Sequence, residues 1–134
     1  MFNDCILYNV KNLERKLTKI AEDEFDEIGL HHTYGYILTV IGSKDYVKTK
    51  QISKELCLDS STVTRMVKKL ENEGYVQKGS KNSPVDISLT TKGKAIIPDI
   101  HKAWDNYHVK CEQLLGDEQI TLINTLKSSV DKLK

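Results

Sequence analysis

The sequence predicts a mainly α chain carrying one small β hairpin, an α+β fold, and two observations predict it. Residues 49–89 read as a short helix, a turn, a second helix with a one-sided apolar face, and two short strands about a loop. Both ends of the chain carry apolar residues in alternating steps of three and four, the spacing of helices that pack along another helix.

From the N-terminus, a first helix is expected from about Phe2 to Ile28, with Ile6, Val10, Leu13, Leu17 and Ile20 as its stripe. Its acidic end (Glu22, Asp23, Glu24, Asp26, Glu27) reads as a solvated face. Gly29 breaks it, and a second helix runs over about Thr33 to Ile41, ended by Gly42 and Ser43. In the connection that follows, Tyr46 and Val47 form a short strand against the hairpin. The next short helix has Thr49 as N-cap and Ile52, Leu56 and Leu58 as apolar positions.

Asp59 is then a good N-cap and Gly74 a good stop signal. Between them Val63, Met66, Val67 and Leu70 fall at i, i+3, i+4 and i+7, one buried face of a helix. A strand over Tyr75 to Lys78 follows, then a loop over residues 79–84. Val85, Ile87 and Leu89 alternate with Asp86 and Ser88 as in a half-buried strand. Thr91 opens a long helix to about Leu115, in which Pro98 kinks the helix or marks its first turn. Its stripe is Ile97, Ile100, Trp104, Tyr107, Cys111 and Leu114. After Gly116, Asp117 caps a last helix with Ile120, Ile123, Leu126, Val130 and Leu133 along one edge.

Helix, turn, helix and hairpin in this order make a winged helix-turn-helix, in which the second helix enters the DNA major groove and the wing reaches the backbone or minor groove. The polar face of that helix fits the task. It carries Ser61, Thr64, Arg65 and Lys68, with Ser60, Thr62 and Lys69 at its margins. Short hydroxyls let a helix approach phosphates and base edges. Arg65 can reach a guanine edge with two hydrogen bonds, and lysines neutralise phosphates. A plain amphipathic surface helix is the competing reading of the face taken alone. Charge supports the first reading: residues 44–81 carry nine cations against five anions, within a chain of net charge +1. The expected DNA-binding residues are Ser60, Ser61, Thr62, Thr64, Arg65 and Lys68 in the groove, with Lys69, Lys78 and Lys81 on phosphates.

At these residues the chain resembles the MarR family of bacterial regulators. The resemblance rests on Ile52-Ser53-Lys54-Glu55-Leu56, Asp59-Ser60-Ser61-Thr62-Val63-Thr64-Arg65, Leu70-Glu71-Asn72-Glu73-Gly74-Tyr75-Val76 and Leu89-Thr90-Thr91-Lys92-Gly93. It covers the whole chain in length and order of elements. It implies a single domain over 1–134, with a winged helix-turn-helix DNA-binding lobe at 30–90 and a helical dimerisation region at 1–29 and 91–134. It also implies a homodimeric repressor on a pseudo-palindromic double-stranded operator, with its two recognition helices ~34 Å apart. Two departures stand out. Cys57 occupies a turn position where the family often has glycine, and the short wing lacks an Asp-x-Arg tip, leaving Lys78 and Lys81 as its cations.

The family commonly answers to a small phenolic ligand, an oxidant or a metal. Cys5, with Tyr8 three residues on, is the candidate redox sensor, although it falls about two residues from the cysteine of the hydroperoxide-sensing branch. Tyr34, Tyr36, Tyr46 and Trp104 are candidates for lining a pocket for a small organic ligand. His101, Asp105, His108 and Cys111 are zinc-type residues along one helix, but the zinc-sensing branch puts ligands where this chain has Gly35 and Tyr36, so no metal is expected.

The remaining expectations are exclusions. At 134 residues the chain is one domain with a modest core. No apolar run spans a bilayer, and Asn3 and Asp4 interrupt any signal-peptide pattern, so a cytoplasmic, non-membrane protein is expected. Cys5, Cys57 and Cys111 are odd in number and lack CxxC spacing, which argues against a zinc ribbon or a disulfide framework. No Ser-His-Asp order, phosphate loop or paired carboxylates stand out, so neither an enzyme nor a cofactor is expected. The rival reading from another class is a protein-interaction module that keeps the winged fold with weakened DNA binding.

Overall fold

The structure is a computed structural model that describes residues 1–79 and 83–134. Six helices and a two-stranded sheet follow the expected order. They are α1 (Ile6–Asp26), α2 (His32–Gly42), α3 (Thr49–Leu56), α4 (Ser60–Asn72), β1 (Val76–Lys78), β2 (Ile87–Leu89), α5 (Thr91–Leu115) and α6 (Glu118–Lys132). The chain divides into two compact units, residues 25–102 and residues 1–24 with 103–134. Among the described residues no helix is long and apolar enough to cross a membrane.

In the unit 25–102 the core is built from the stripes the sequence displays. Ile37, Leu38 and Ile41 of α2, Ile52 of α3, and Val63, Val67 and Leu70 of α4 are fully buried, together with Phe25 and Ile100. Gly35 lets α2 lie close to Phe25, because a Cβ at Gly35 would come within 2.6 Å of that ring. α2 starts earlier than its periodicity implies, since His31 is its N-cap and the imidazole Nδ1 accepts from the Thr33 N–H at 3.2 Å.

β1 and β2 pair antiparallel, with Val76 opposite Leu89, Gln77 opposite Ser88 and Lys78 opposite Ile87. Val47 adds the expected third arm, exchanging backbone hydrogen bonds of 2.9 and 2.8 Å with Ile87. The alternation expected from Val85 onward is corrected: Val85 is 59% exposed and Asp86 is buried. The ladder begins only at Ile87. Pro84 and Val85 lie in a turn, where side chains do not obey the period of two, and the Asp86 carbonyl accepts from Gly79 N–H at 2.8 Å. Residues 80–82, and with them Lys81, lie outside the described residues.

In the helix-turn-helix one helix start differs from expectation in its position, and the other stands where expected but without the side-chain bond. The N-cap of α3 is Lys48 rather than Thr49, and its backbone N–H donates to Gln51 Oε1 at 2.8 Å. Asp59 has the extended N-cap backbone before α4, but its carboxylate makes no capping hydrogen bond. It is exposed, so water solvates it, and its charge still favours the positive end of the helix.

The other unit holds most of α1, the later part of α5, and α6. α1 is shorter than expected at both ends. Glu24, expected on a solvated face, is buried and paired with the Lys110 ammonium of α5. α5 begins at Thr91 and runs through Pro98, which is therefore not its first turn. α6 has no buried residue at all. Along these helices Ile6, Leu114, Ile120, Val130 and Leu133 are largely exposed.

The turn between α3 and α4 carries a strained residue. Cys57, with φ 54° and ψ 42°, is the one non-glycine residue of positive φ among the described residues. A side chain in this conformation costs ~1–2 kcal/mol through its Cβ, and a glycine gives back ~0.4–1 kcal/mol through its freer unfolded chain. Cys57→Gly is therefore expected to stabilise the protein by ~0.5–1 kcal/mol. Thermal unfolding should show a midpoint higher by roughly 2–5 °C, and an unchanged or lower midpoint rules the strain out.

Candidate nucleic-acid interface

The site is the outward side of α4. Burial of Val63, Met66, Val67 and Leu70 fixes the rotation of the helix about its own axis. That leaves Ser60, Ser61, Thr64, Arg65, Lys68 and Lys69 exposed and Thr62 half-buried. The hydroxyls thus lie toward the N-terminal end and the cations further along, as the sequence implies. Lys48, Lys50 and Lys54, on α3 and just before it, are also exposed and add to the positive charge of this unit.

Three of these side chains have commitments that their spacing does not reveal. Thr64 Oγ1 donates to the Ser60 carbonyl one turn earlier at 2.8 Å. Its proton is used, so Thr64 can offer only lone pairs, which suit the amino group of a cytosine or adenine and not a phosphate. The Lys69 ammonium lies 5.5 Å from the centre of the Tyr34 ring on α2, a cation–π arrangement. Ser53 and Ser60 meet through their hydroxyls at 3.4 Å, linking α3 to the first turn of α4.

The far end of α4 is closed by backbone geometry. Gly74, at φ +86°, lets its N–H donate to the Glu71 carbonyl at 3.0 Å and the Tyr75 N–H to the Leu70 carbonyl at 2.9 Å. These two bonds make a Schellman motif. Lys78 is exposed at the end of β1.

The candidate sensor residues have the following surroundings. Cys5 is exposed and precedes the first helical residue, and the Tyr8 ring lies 6.0 Å from that of Phe2. In the unit 25–102, Tyr34 is half-buried and Tyr36 and Tyr46 are exposed on one side. Partial burial raises the Tyr36 phenol above its ordinary pKa, so its hydroxyl stays protonated. In the other unit, Trp104 is half-buried and meets Tyr107 edge-on at 5.4 Å. Cys111 is buried while His101, Asp105 and His108 are exposed, so this helical row does not gather. Among the described residues no group of three His, Cys, Asp or Glu side chains could hold a metal ion.

Sequence periodicity and charge pass over one group of residues. Thr90 and Lys92 donate to carbonyls at the end of α4, at 2.5 Å to Gly74 and 2.7 Å to Glu73. The Leu89–Gly93 segment is visible in the sequence only as part of a family resemblance, because partners sixteen or more residues away leave no local pattern.

Comparison with known proteins agrees with this geometry. The HTH-type transcriptional regulator SarZ of Staphylococcus saprophyticus is 34% identical over 136 residues, a match covering 96% of this chain and 88% of the relative. The chain belongs to the MarR family of winged-helix transcriptional regulators. SarZ of Staphylococcus aureus is 30% identical over 137 residues, covering 96% of this chain and 86% of the relative. Among solved structures, a MarR-family fold is shared with a cysteine-to-serine variant of E. coli MarR complexed with operator DNA. There the TM-score is 0.82 at 20% identity, with 97% of each chain covered. The repressor CouR bound to p-coumaroyl-CoA superposes with a TM-score of 0.85 at 16% identity, covering 97% of this chain and 94% of that one. A family profile described as the iron dependent repressor N-terminal DNA binding domain matches residues 35–82. In this MarR-family chain the matched stretch spans most of α2, the helix-turn-helix and β1.

Proposed function

We propose that this MarR-family chain is a homodimeric repressor that binds a pseudo-palindromic double-stranded operator and is released from it by a small ligand or an oxidant. The observation that carries the DNA-binding part is α4. Its apolar stripe is buried, and its hydroxyls, Arg65 and Lys68 share the exposed side. Residues 30–90 form the DNA-binding lobe in this reading. Ser60, Ser61, Thr62, Thr64, Arg65 and Lys68 face the groove, and Lys69, Lys78 and Lys81 neutralise phosphates. To do so Lys69 leaves the Tyr34 ring, at a cost of ~0.5–1 kcal/mol.

Residues 1–29 and 91–134 form the dimerisation region. The support is the apolar side chains that the single chain leaves in water, above all on α6. A second copy laid along these helices covers them and sets the two copies of α4 about one DNA turn apart. Cys5 is exposed to an oxidant, and Tyr34, Tyr36, Tyr46 and Trp104 are the aromatics available to an organic ligand. The structurally similar CouR carries p-coumaroyl-CoA, which supports a ligand as effector. The protein acts in the cytoplasm by binding, not by catalysis.

Fluorescence anisotropy tests the reading, with DNA from upstream of the protein's own gene against scrambled DNA at two salt concentrations, reduced and peroxide-treated samples side by side. Site-selective, salt-steep binding is expected. Weak binding with a shallow salt dependence moves the weight to a protein-interaction module. Arg65→Ala is expected to cost ~1–3 kcal/mol and to relax specificity at one base pair. Unchanged affinity and preference remove Arg65 from the interface. Lys81→Ala should weaken binding equally on all sequences and flatten the salt slope by roughly one unit; a sequence-selective loss instead makes the wing a reader of bases or shape. Sedimentation should give twice the chain mass, and Val130→Asp should shift it toward the monomer. A monomeric wild type excludes the dimer.

A further inference from the structure

The end of α4 is held by a segment that follows it by sixteen to nineteen residues. Three consecutive carbonyls, those of Glu73, Gly74 and Tyr75, leave the helix with no partner inside it. Each accepts a hydrogen bond from the start of α5. The Lys92 ammonium donates to Glu73 at 2.7 Å, Thr90 Oγ1 to Gly74 at 2.5 Å, and the Thr90 N–H to Tyr75 at 3.1 Å. Thr90 Oγ1 also accepts from the Gly93 N–H at 3.1 Å, so one hydroxyl caps α5 and closes α4 at once. Lys92 lies 4.4 Å from the centre of the Tyr75 ring. Gly93 permits this approach: a Cβ there would sit 2.1 Å from the Tyr75 carbonyl oxygen.

We infer that Thr90 and Lys92 are positioning residues for DNA binding, pinning the C-terminus of α4 to the first turn of α5 and so setting the tilt of α4. The inference rests on the DNA-binding reading and adds to it what aims the helix. The buried stripe fixes rotation about the helix axis, but rocking along that axis needs a fixed end. Among the described residues the N-terminal end has no side-chain cap, and its side-chain hydrogen bond to α3 is the long 3.4 Å Ser53–Ser60 link. Thirteen residues span about 20 Å. A 10° tilt about the pinned end therefore moves the hydroxyls at the other end by about 3 Å, the length of a hydrogen bond.

The test uses the full chain as wild type, Thr90→Val, Thr90→Ser and Lys92→Met. Valine keeps the shape of threonine and can neither donate nor accept, whereas serine can do both. Operator affinity is measured by anisotropy across salt, and amide hydrogen exchange is measured without DNA. Thr90→Val is expected to bind about tenfold more weakly, from one half-buried hydroxyl with two partners, and Thr90→Ser to recover to within about twofold. Lys92→Met should also weaken binding with an unchanged salt slope, because a lysine that touched phosphate would flatten the slope by about one unit. Wild-type affinity in Thr90→Val, no rescue by serine, or a flattened slope in Lys92→Met overturns the inference. If the wild type itself shows no operator preference, the DNA-binding reading fails separately. The exchange arm then decides the pin: faster exchange at Tyr75 and Gly93 in Thr90→Val supports it, and unchanged exchange overturns it.

Discussion

Burial of four side chains on α4 is the constraint on which the rest of the DNA-binding unit depends. Val63, Met66, Val67 and Leu70 together contribute about 6–12 kcal/mol of gross hydrophobic stabilisation. A thirteen-residue helix is marginal alone in water, so this packing makes the helix as well as orienting it. Once the stripe is inside, the 100° step between residues leaves Arg65 and Lys68 no direction but outward. The face that could read DNA is thus a consequence of the face that cannot stay in water. Val47, Val76, Ile87 and Leu89 complete the same core, which ties the small sheet to the helix it flanks.

The ends of the helices are held mostly by the backbone and by distant residues. The Asp59 carboxylate makes no capping bond to α4, the Schellman bonds at Gly74 close its other end, and the next three carbonyls are taken by Thr90 and Lys92. Most polar side chains of α4 therefore remain available for a ligand. The exceptions are Thr64, whose proton is spent on the helix itself, Lys69 on the Tyr34 ring and Ser60 on Ser53.

The terminal helices pose the opposite problem. α1, the end of α5, and α6 carry apolar stripes, yet much of each stripe lies in water in the single chain. Ile6, Leu114, Ile120, Val130 and Leu133 are among the side chains left uncovered. The homodimer proposed above would cover these stripes, and a pseudo-palindromic operator would call for it.

Periodicity and turn residues in the sequence determined the order and type of all eight elements, the buried stripe of α4, and the third arm at Val47. They did so because each depends on neighbours three or four residues away, or on alternation along one segment. The same local rules misplaced what depends on partners elsewhere. Val85 and Asp86 trade places because the ladder starts at Ile87, and Glu24 leaves the solvated face because Lys110 meets it. His31 caps α2, a position that the apolar spacing of the helix does not mark. Thr90, Lys92 and Gly93 were legible as a signature but not as a device. Only tertiary structure decides such roles, because hydrogen bonds between residues far apart in the chain leave no period in the sequence that joins them.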